Sequence, residues 1–165
     1  MKPLAPLLLR ATVGTIFVVH GTQKLFGSFG GHGLDGTGQF FESLGLGPGR
    51  RQALAAGATE TGGGVLVTVG LATPAAAAGL TAVMITALRT AIWKDGFQPG
   101  TGEFEVLLAA AALSLAAGGP GPWSLDAALG QERSGAGWAL AALGAAAAGS
   151  GLAVASGRRR PPGDT

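Results

Sequence analysis

Cysteine is missing altogether, charge is sparse and histidine occurs only twice. Without thiols the chain can form no disulfide, thiolate zinc site, iron–sulfur cluster or cysteine nucleophile, so any redox role falls to a bound cofactor or a partner. The two histidines, His20 and His32, lack H-x-x-x-H spacing, and no metal site is expected; Glu60, Glu103 and Glu105 could hold a hard cation only if the fold converged them. Charged residues are 12% of the chain, about half the share of a soluble domain. The net charge of +2 is small, and the basic residues form no stripe interleaved with aromatics, so nucleic acid is not an expected partner. There is no G-x-x-x-x-G-K-[ST] motif for nucleotides and no recognisable serine–histidine–acid arrangement.

What fills the space is apolar sequence: 47% of residues are hydrophobic and the mean hydropathy is +0.42. Long apolar runs, each bounded by charge or by Gly/Pro, predict helices over residues 4–26, 53–72, 74–93 and 103–117, with a further Ala/Gly-rich run over 137–156. Crossing a bilayer takes roughly 20 apolar residues, so the expected fold is all-α: a transmembrane four-helix bundle within residues 1–130, a fifth, C-terminal transmembrane helix within 131–156, and a basic, Pro-rich disordered tail over 157–165. The Ala/Gly run reads alternatively as a low-complexity linker. Lys2 precedes a hydrophobic run as in a signal peptide, but Arg10 interrupts that run and no cleavage signal follows; an uncleaved first helix is the expectation. Thr73-Pro74 looks like an N-cap followed by a helix-starting proline, which folds the second and third spans into a tight hairpin. The stretch Gly27–Gly38 reads as too glycine-rich to be helical, with Asp35 or Thr37 capping a short amphipathic helix that carries Phe40, Phe41 and Leu44 in the interface.

Ionisable groups inside apolar spans are costly unless they are paired or face a cavity, and mark candidate sites. Arg10, His20, Glu60 and Arg89 are such groups. Antiparallel threading brings the end of the first span, the start of the second, the end of the third and the start of the fourth to one face. Glu60 then lies ~10 Å and Arg89 ~6 Å below it, with His20, Lys24, Glu103 and Glu105 near the same level. On helical wheels Arg10, Gly14, Phe17, Gly21 and Lys24 share one side, as do Gly57, Glu60 and Gly64, and as do Ala78, Ala82 and Arg89. Small residues let helices approach closely in lipid, so these are the expected packing faces. The candidate pocket is Glu60 flanked by Lys24 and Arg89, with His20 nearby and Glu103 and Glu105 at the rim. The same groups could equally serve only to pair and fix the register of the bundle. Glu103-x-Glu105 puts its carboxylates on different sides of a helix. Arg10 lies deeper, toward the other face, where snorkelling would explain it.

Several blocks carry a family resemblance: RATVGTIFVVHGTQKLFGSFGGHG from Arg10, then LDGTGQFFESLGLGPG, AGATETGGGVLVTVGLATP, MITALRT, and GFQPGTGEFEVLL with GPGPWSLD. In this order they resemble the DoxX family of small bacterial integral membrane proteins, over residues 7–129. The resemblance implies a four-helix membrane bundle. It also implies a redox setting, because named relatives are linked to quinone-dependent sulfur oxidation, to maturation of a methylamine dehydrogenase, and to an actinobacterial oxidative-stress complex with a superoxide dismutase and a sulfurtransferase. The positions that carry over are Arg10, His20, Gly21, Lys24, Leu25, Phe26 and Gly27, then Glu60 and Gly63, then Gly102, Glu103 and Glu105. Trp93-Lys94 stands where many relatives have histidine, and the fifth helix departs from the four-helix pattern.

The expected function is therefore that of a plasma-membrane component of a redox or stress-related complex, with a quinone head group as cofactor and a soluble redox enzyme as partner, in the bilayer as monomer or oligomer. A non-catalytic scaffold and a small-solute carrier are the alternatives. With five spans, Lys24, Arg50, Arg51, Arg89, Lys94 and Arg158 to Arg160 share one side against Lys2 and Arg133, which places the 27–52 loop and the C-terminus in the cytoplasm.

Overall fold

A computed structural model describes residues 4–157; of the tail expected over 157–165 only Gly157 is described, as the last residue of a helix, and the rest of it and Lys2 lie outside the described residues. The chain forms helices α1 (Leu4–Phe26), α2 (Gly33–Ser43), α3 (Gly49–Val69), α4 (Thr73–Ala87, prolonged by a π-turn over Leu88–Ile92), α5 (Glu103–Gly118), α6 (Leu125–Ala128) and α7 (Ala136–Gly157). There is no strand among the described residues. Three helices are long and apolar enough to cross a membrane by themselves: Leu4–Phe26, Thr73–Ile92 and Ala136–Gly157. α3 has the length but carries Arg50, Arg51 and Glu60, and α5 is apolar but has only 16 residues. The architecture is a helical membrane bundle.

Its core is shared by α1, α3, α4 and α5. Val13, Phe17, Val67, Leu80, Met84, Leu108 and Leu115 are its buried side chains. α7 lies along α4 and α5, where small side chains meet: Ala77, Ala112, Ala116 and Ala142 form a second buried cluster. The closest seam is α1 against α3. A Cβ on Gly14 would stand 2.6 Å from the Gly64 carbonyl oxygen, and one on Gly21 would stand 2.5 Å from the Thr61 backbone nitrogen. Backbones in such contact gain dispersion energy over their whole length, the main source of association where lipid competes equally for apolar side chains.

Helix boundaries differ from the expected ones where the tertiary structure supplies a partner. α3 starts at Gly49 instead of residue 53, because Glu42 of α2 accepts a hydrogen bond from the Gly49 nitrogen at 3.0 Å and caps the helix from outside. Residues 33–38, expected to be non-helical, are the first turns of α2. One of their glycines serves close approach: a Cβ on Gly38 would lie 2.9 Å from the Arg50 nitrogen. Neither Asp35 nor Thr37 caps that helix, whose N-cap position is His32 without a side-chain hydrogen bond. α3 ends at Gly70, which adopts φ 68° and closes the last turn with a Leu71 N–H to Leu66 carbonyl bond of 2.9 Å.

Thr73 likewise does not cap α4. Asp126, from α6, accepts from the Ala72 nitrogen (2.8 Å), the Thr73 nitrogen (3.0 Å) and the Thr73 hydroxyl (2.9 Å). A carboxylate at a helix N-terminus satisfies orphan donors and opposes the helix dipole. The Ala/Gly run is a continuous helix from Ala136 to Gly157, and it ends beside the start of α3, where the Gly47 nitrogen donates to the Gly157 carbonyl at 2.8 Å. The end of α7 thus joins the same face as the α1–α3 connection.

Candidate functional site

Between the helices, on the side where α1 ends and α3 and α5 begin, lies a cavity of about 410 Å³. Its walls are mostly apolar: Phe17 and Met84 line it from the core, Phe41 and Leu44 from the α2 segment, and Gly149 and Ala153 from α7. The polar exceptions include Lys24, Glu60, His20 and Glu105.

Glu60 is the centre of this group. Its side chain is buried, with 1% of the residue exposed, because α3 turns the Gly57–Glu60–Gly64 face toward α1. Lys24 reaches it from the last turn of α1, and its Nζ donates to Glu60 Oε2 at 2.6 Å. This is the expected pairing between residues 36 positions apart in sequence. His20 lies one turn deeper on α1, its ring centroid 5.8 Å from that of Phe104, within electrostatic reach of Lys24 and Glu105.

The other expected members fall elsewhere. Glu103 is exposed and Glu105 half-buried, so only Glu105 faces the cavity. Arg89 is exposed, makes no ion pair with Glu60, and lies with Nη1 3.4 Å from Ser150 Oγ of α7. The reason is visible in the packing of α4. Its Ala78–Ala82–Arg89 face is indeed a packing face, but α7 occupies it: Ala78 packs against the Ala142 cluster, and Thr86 bonds Ser150 at 3.0 Å. The expectation that Arg89 flanks Glu60 is corrected accordingly.

Arg10 also departs from expectation. Instead of snorkelling it is 1% exposed, donating from Nη1 to the Thr68 carbonyl at 3.2 Å and from Nη2 to the Trp123 carbonyl at 2.6 Å. Asp126 supplies an opposite charge within electrostatic reach. Gly70 leaves room for the guanidinium, since a Cβ there would stand 3.0 Å from Arg10 Cζ and 2.5 Å from Ser124 Cβ. Arg10 and Asp126 tie α1, the α3–α4 turn and the segment after α5 together at the end opposite the cavity.

Asp126 is a residue that sequence reasoning missed, though it stood as a lone acid in the GPGPWSLD block. Gln52 is another: its amide donates to the Ala153 carbonyl (3.3 Å) and Ser156 Oγ (3.2 Å), joining α3 to α7 at the cavity wall. His32 is exposed in the turn before α2. Among the described residues no three His, Cys, Asp or Glu side chains cluster in a way that could hold a metal ion.

The chain belongs to the DoxX family, whose model, described as DoxX, matches residues 5–93. It is also 38% identical over 123 residues to a Bacillus subtilis (strain 168) protein named "Putative oxidoreductase CatD", an alignment covering 74% of this chain and 85% of that one. No solved structure matches the chain.

Proposed function

We propose, for this member of the DoxX family, a role as the membrane component of a redox or oxidative-stress-related complex in which the Lys24–Glu60 cavity receives the head group of a quinone. The observation that carries this reading is a cavity of about 410 Å³ with apolar walls and a charged pair at one end. Small-molecule pockets have this size and this division between an apolar body and a few convergent polar groups. A prenylated ring has matching parts: an apolar tail for the alanine, glycine and phenylalanine surfaces, and a ring oxygen that can accept from Lys24 Nζ. When bound, such a ring would supply the two-electron, two-proton chemistry that a chain without cysteine must obtain from a cofactor or partner. The oxidoreductase name of the Bacillus relative points the same way.

The carrier alternative needs a passage to the other end of the bundle. Between the cavity and Arg10, however, Val13, Val67, Leu80 and Leu115 are each at most 3% exposed. The test is purification of the full chain in mild detergent, followed by mass spectrometry of copurifying proteins and lipophilic cofactors. A quinone together with a redox enzyme is the expected outcome. An enzyme without any lipophilic cofactor would favour the scaffold alternative, and a lone apoprotein would overturn the redox-complex reading.

We further propose that the cavity end faces the cytoplasm of the plasma membrane. Lys24, Arg50, Arg51, Arg89 and Lys94 lie toward that end, against Arg133 and the buried Arg10 toward the other, and cytoplasmic ends carry the excess of Lys and Arg. A reporter fused to the C-terminus should be active only as a cytoplasmic reporter; activity of an exported reporter there would reverse the orientation.

A further inference from the structure

The ion pair at the cavity is only half satisfied. Lys24 bonds Glu60 through Oε2 alone, and Oε1 receives no hydrogen bond among the described residues while not being a fully enclosed atom. Glu105 lines the same cavity and makes no ion pair or side-chain hydrogen bond among the described residues. Two of the cavity's hydroxyls are already engaged, Thr86 donating to the Ala82 carbonyl at 2.8 Å and Thr90 to the Thr86 carbonyl at 2.8 Å, whereas the Thr59 hydroxyl makes no side-chain hydrogen bond among the described residues. The Gln52 amide is committed to α7. What remains for an occupant is the rest of the Lys24 ammonium, the His20 ring and the Thr59 hydroxyl, set beside the carboxylate oxygens of Glu60 and Glu105, which only accept.

From the unpaired Glu60 Oε1 beside Lys24 we propose that the cavity discriminates between the two redox forms of its occupant and holds the hydroxyl-bearing quinol more tightly than the corresponding quinone. The inference rests on the cavity reading above and refines it. A quinol hydroxyl can donate to Glu60 Oε1 and accept from Lys24 Nζ at once, completing both members of the ion pair. A quinone carbonyl presents lone pairs only. Placed at the same point it can accept from Lys24, but it leaves Oε1 facing another acceptor, desolvated and without a partner. Sites built to accept from a hydroxyl reject analogues that lack it, because the buried polar group is left unsatisfied. The bonds at stake involve a carboxylate and are therefore among the stronger ones.

Binding should be measured by equilibrium dialysis on the full chain in detergent, without oxygen, using a short-chain alkyl-benzoquinone and the same compound reduced to its quinol. The quinol is expected to bind about tenfold more tightly or better, the effect of one hydrogen bond to a charged group. In Glu60→Gln the new amide can donate to a carbonyl, and the preference should fall toward parity. A second comparison needs no variant: a 4-alkylphenol should bind the native protein more tightly than its methyl ether, which keeps the oxygen as an acceptor but has no proton to donate. Equal or reversed affinities for quinol and quinone, or an ether that binds as well as the phenol, would overturn the preference and leave the cavity reading standing. Failure of every one of these probes to bind would remove the quinone reading itself.

Discussion

Gly64→Leu should leave almost no folded protein to recover from the membrane, and even Gly64→Ala should lower stability by roughly 3 kcal/mol, the upper range for overpacking a filled core. Gly64 faces α1 so closely that a Cβ would lie 2.7 Å from the Gly14 carbonyl oxygen and 2.9 Å from the Val18 nitrogen. Both are backbone atoms and cannot rotate away. The helices would have to part, and parting them separates Lys24 from Glu60, since both interactions lie along the same pair of helices. Gly62, two residues earlier on α3, has nothing within 4 Å of its would-be Cβ. Gly62→Ala should therefore be neutral or stabilising, by about 0.5–1 kcal/mol from helix propensity. Unfolding of detergent-solubilised protein by titrated SDS, followed by tryptophan fluorescence, compares the two. Equal stabilities for the two alanine variants would mean that α1 and α3 do not meet as closely as described.

Lys24→Met should destabilise the bundle by about 3–5 kcal/mol, the usual cost of leaving one member of a buried ion pair alone. Glu60 is 1% exposed, so its carboxylate has little access to water to replace the ammonium. The double variant Lys24→Met/Glu60→Leu should regain most of that loss, because apolar replacement of an entire buried pair is often neutral. A double-mutant cycle in the same SDS titration measures the coupling; additive losses would show that the two residues do not act as a pair. The cycle also separates two roles that look alike in a static structure. If the pair only fixes helix register, the rescued double variant should retain partner and ligand binding. If it holds a ligand, the double variant should be stable and unable to bind.

The sequence marked the spans well where the signal was local and poorly where it depended on a partner. The end of α1 is legible because the apolar run is closed by Lys24 and by the glycines Gly27, Gly30 and Gly31 beyond it. The fifth helix was legible by length, although its alanine-rich composition admits a linker as well. The start of α3 was not, because the cap that begins it comes from Glu42 in another helix. Lys24 and Glu60 could be matched by depth and phase, since both lie on faces notched with glycine. Arg89 shows the limit of that method. Its helical phase was right, but phase says only that a face packs, not against which neighbour, and α7 was the neighbour. Arg10 looks like a snorkelling residue in the sequence because its acceptors, the carbonyls of Thr68 and Trp123, lie 58 and 113 residues away. Backbone acceptors leave no trace in a pattern of side chains.

Arg10 gathers three separate segments at one end of the bundle, whereas the helices at the other end stand around an open volume. That other end is nonetheless framed: Lys24 and Glu60 join α1 to α3, and Gly47 and Gln52 join the start of α3 to the end of α7. The hollow is thus a vessel with fixed walls and a sealed floor, and filling it from above would not by itself make it leak.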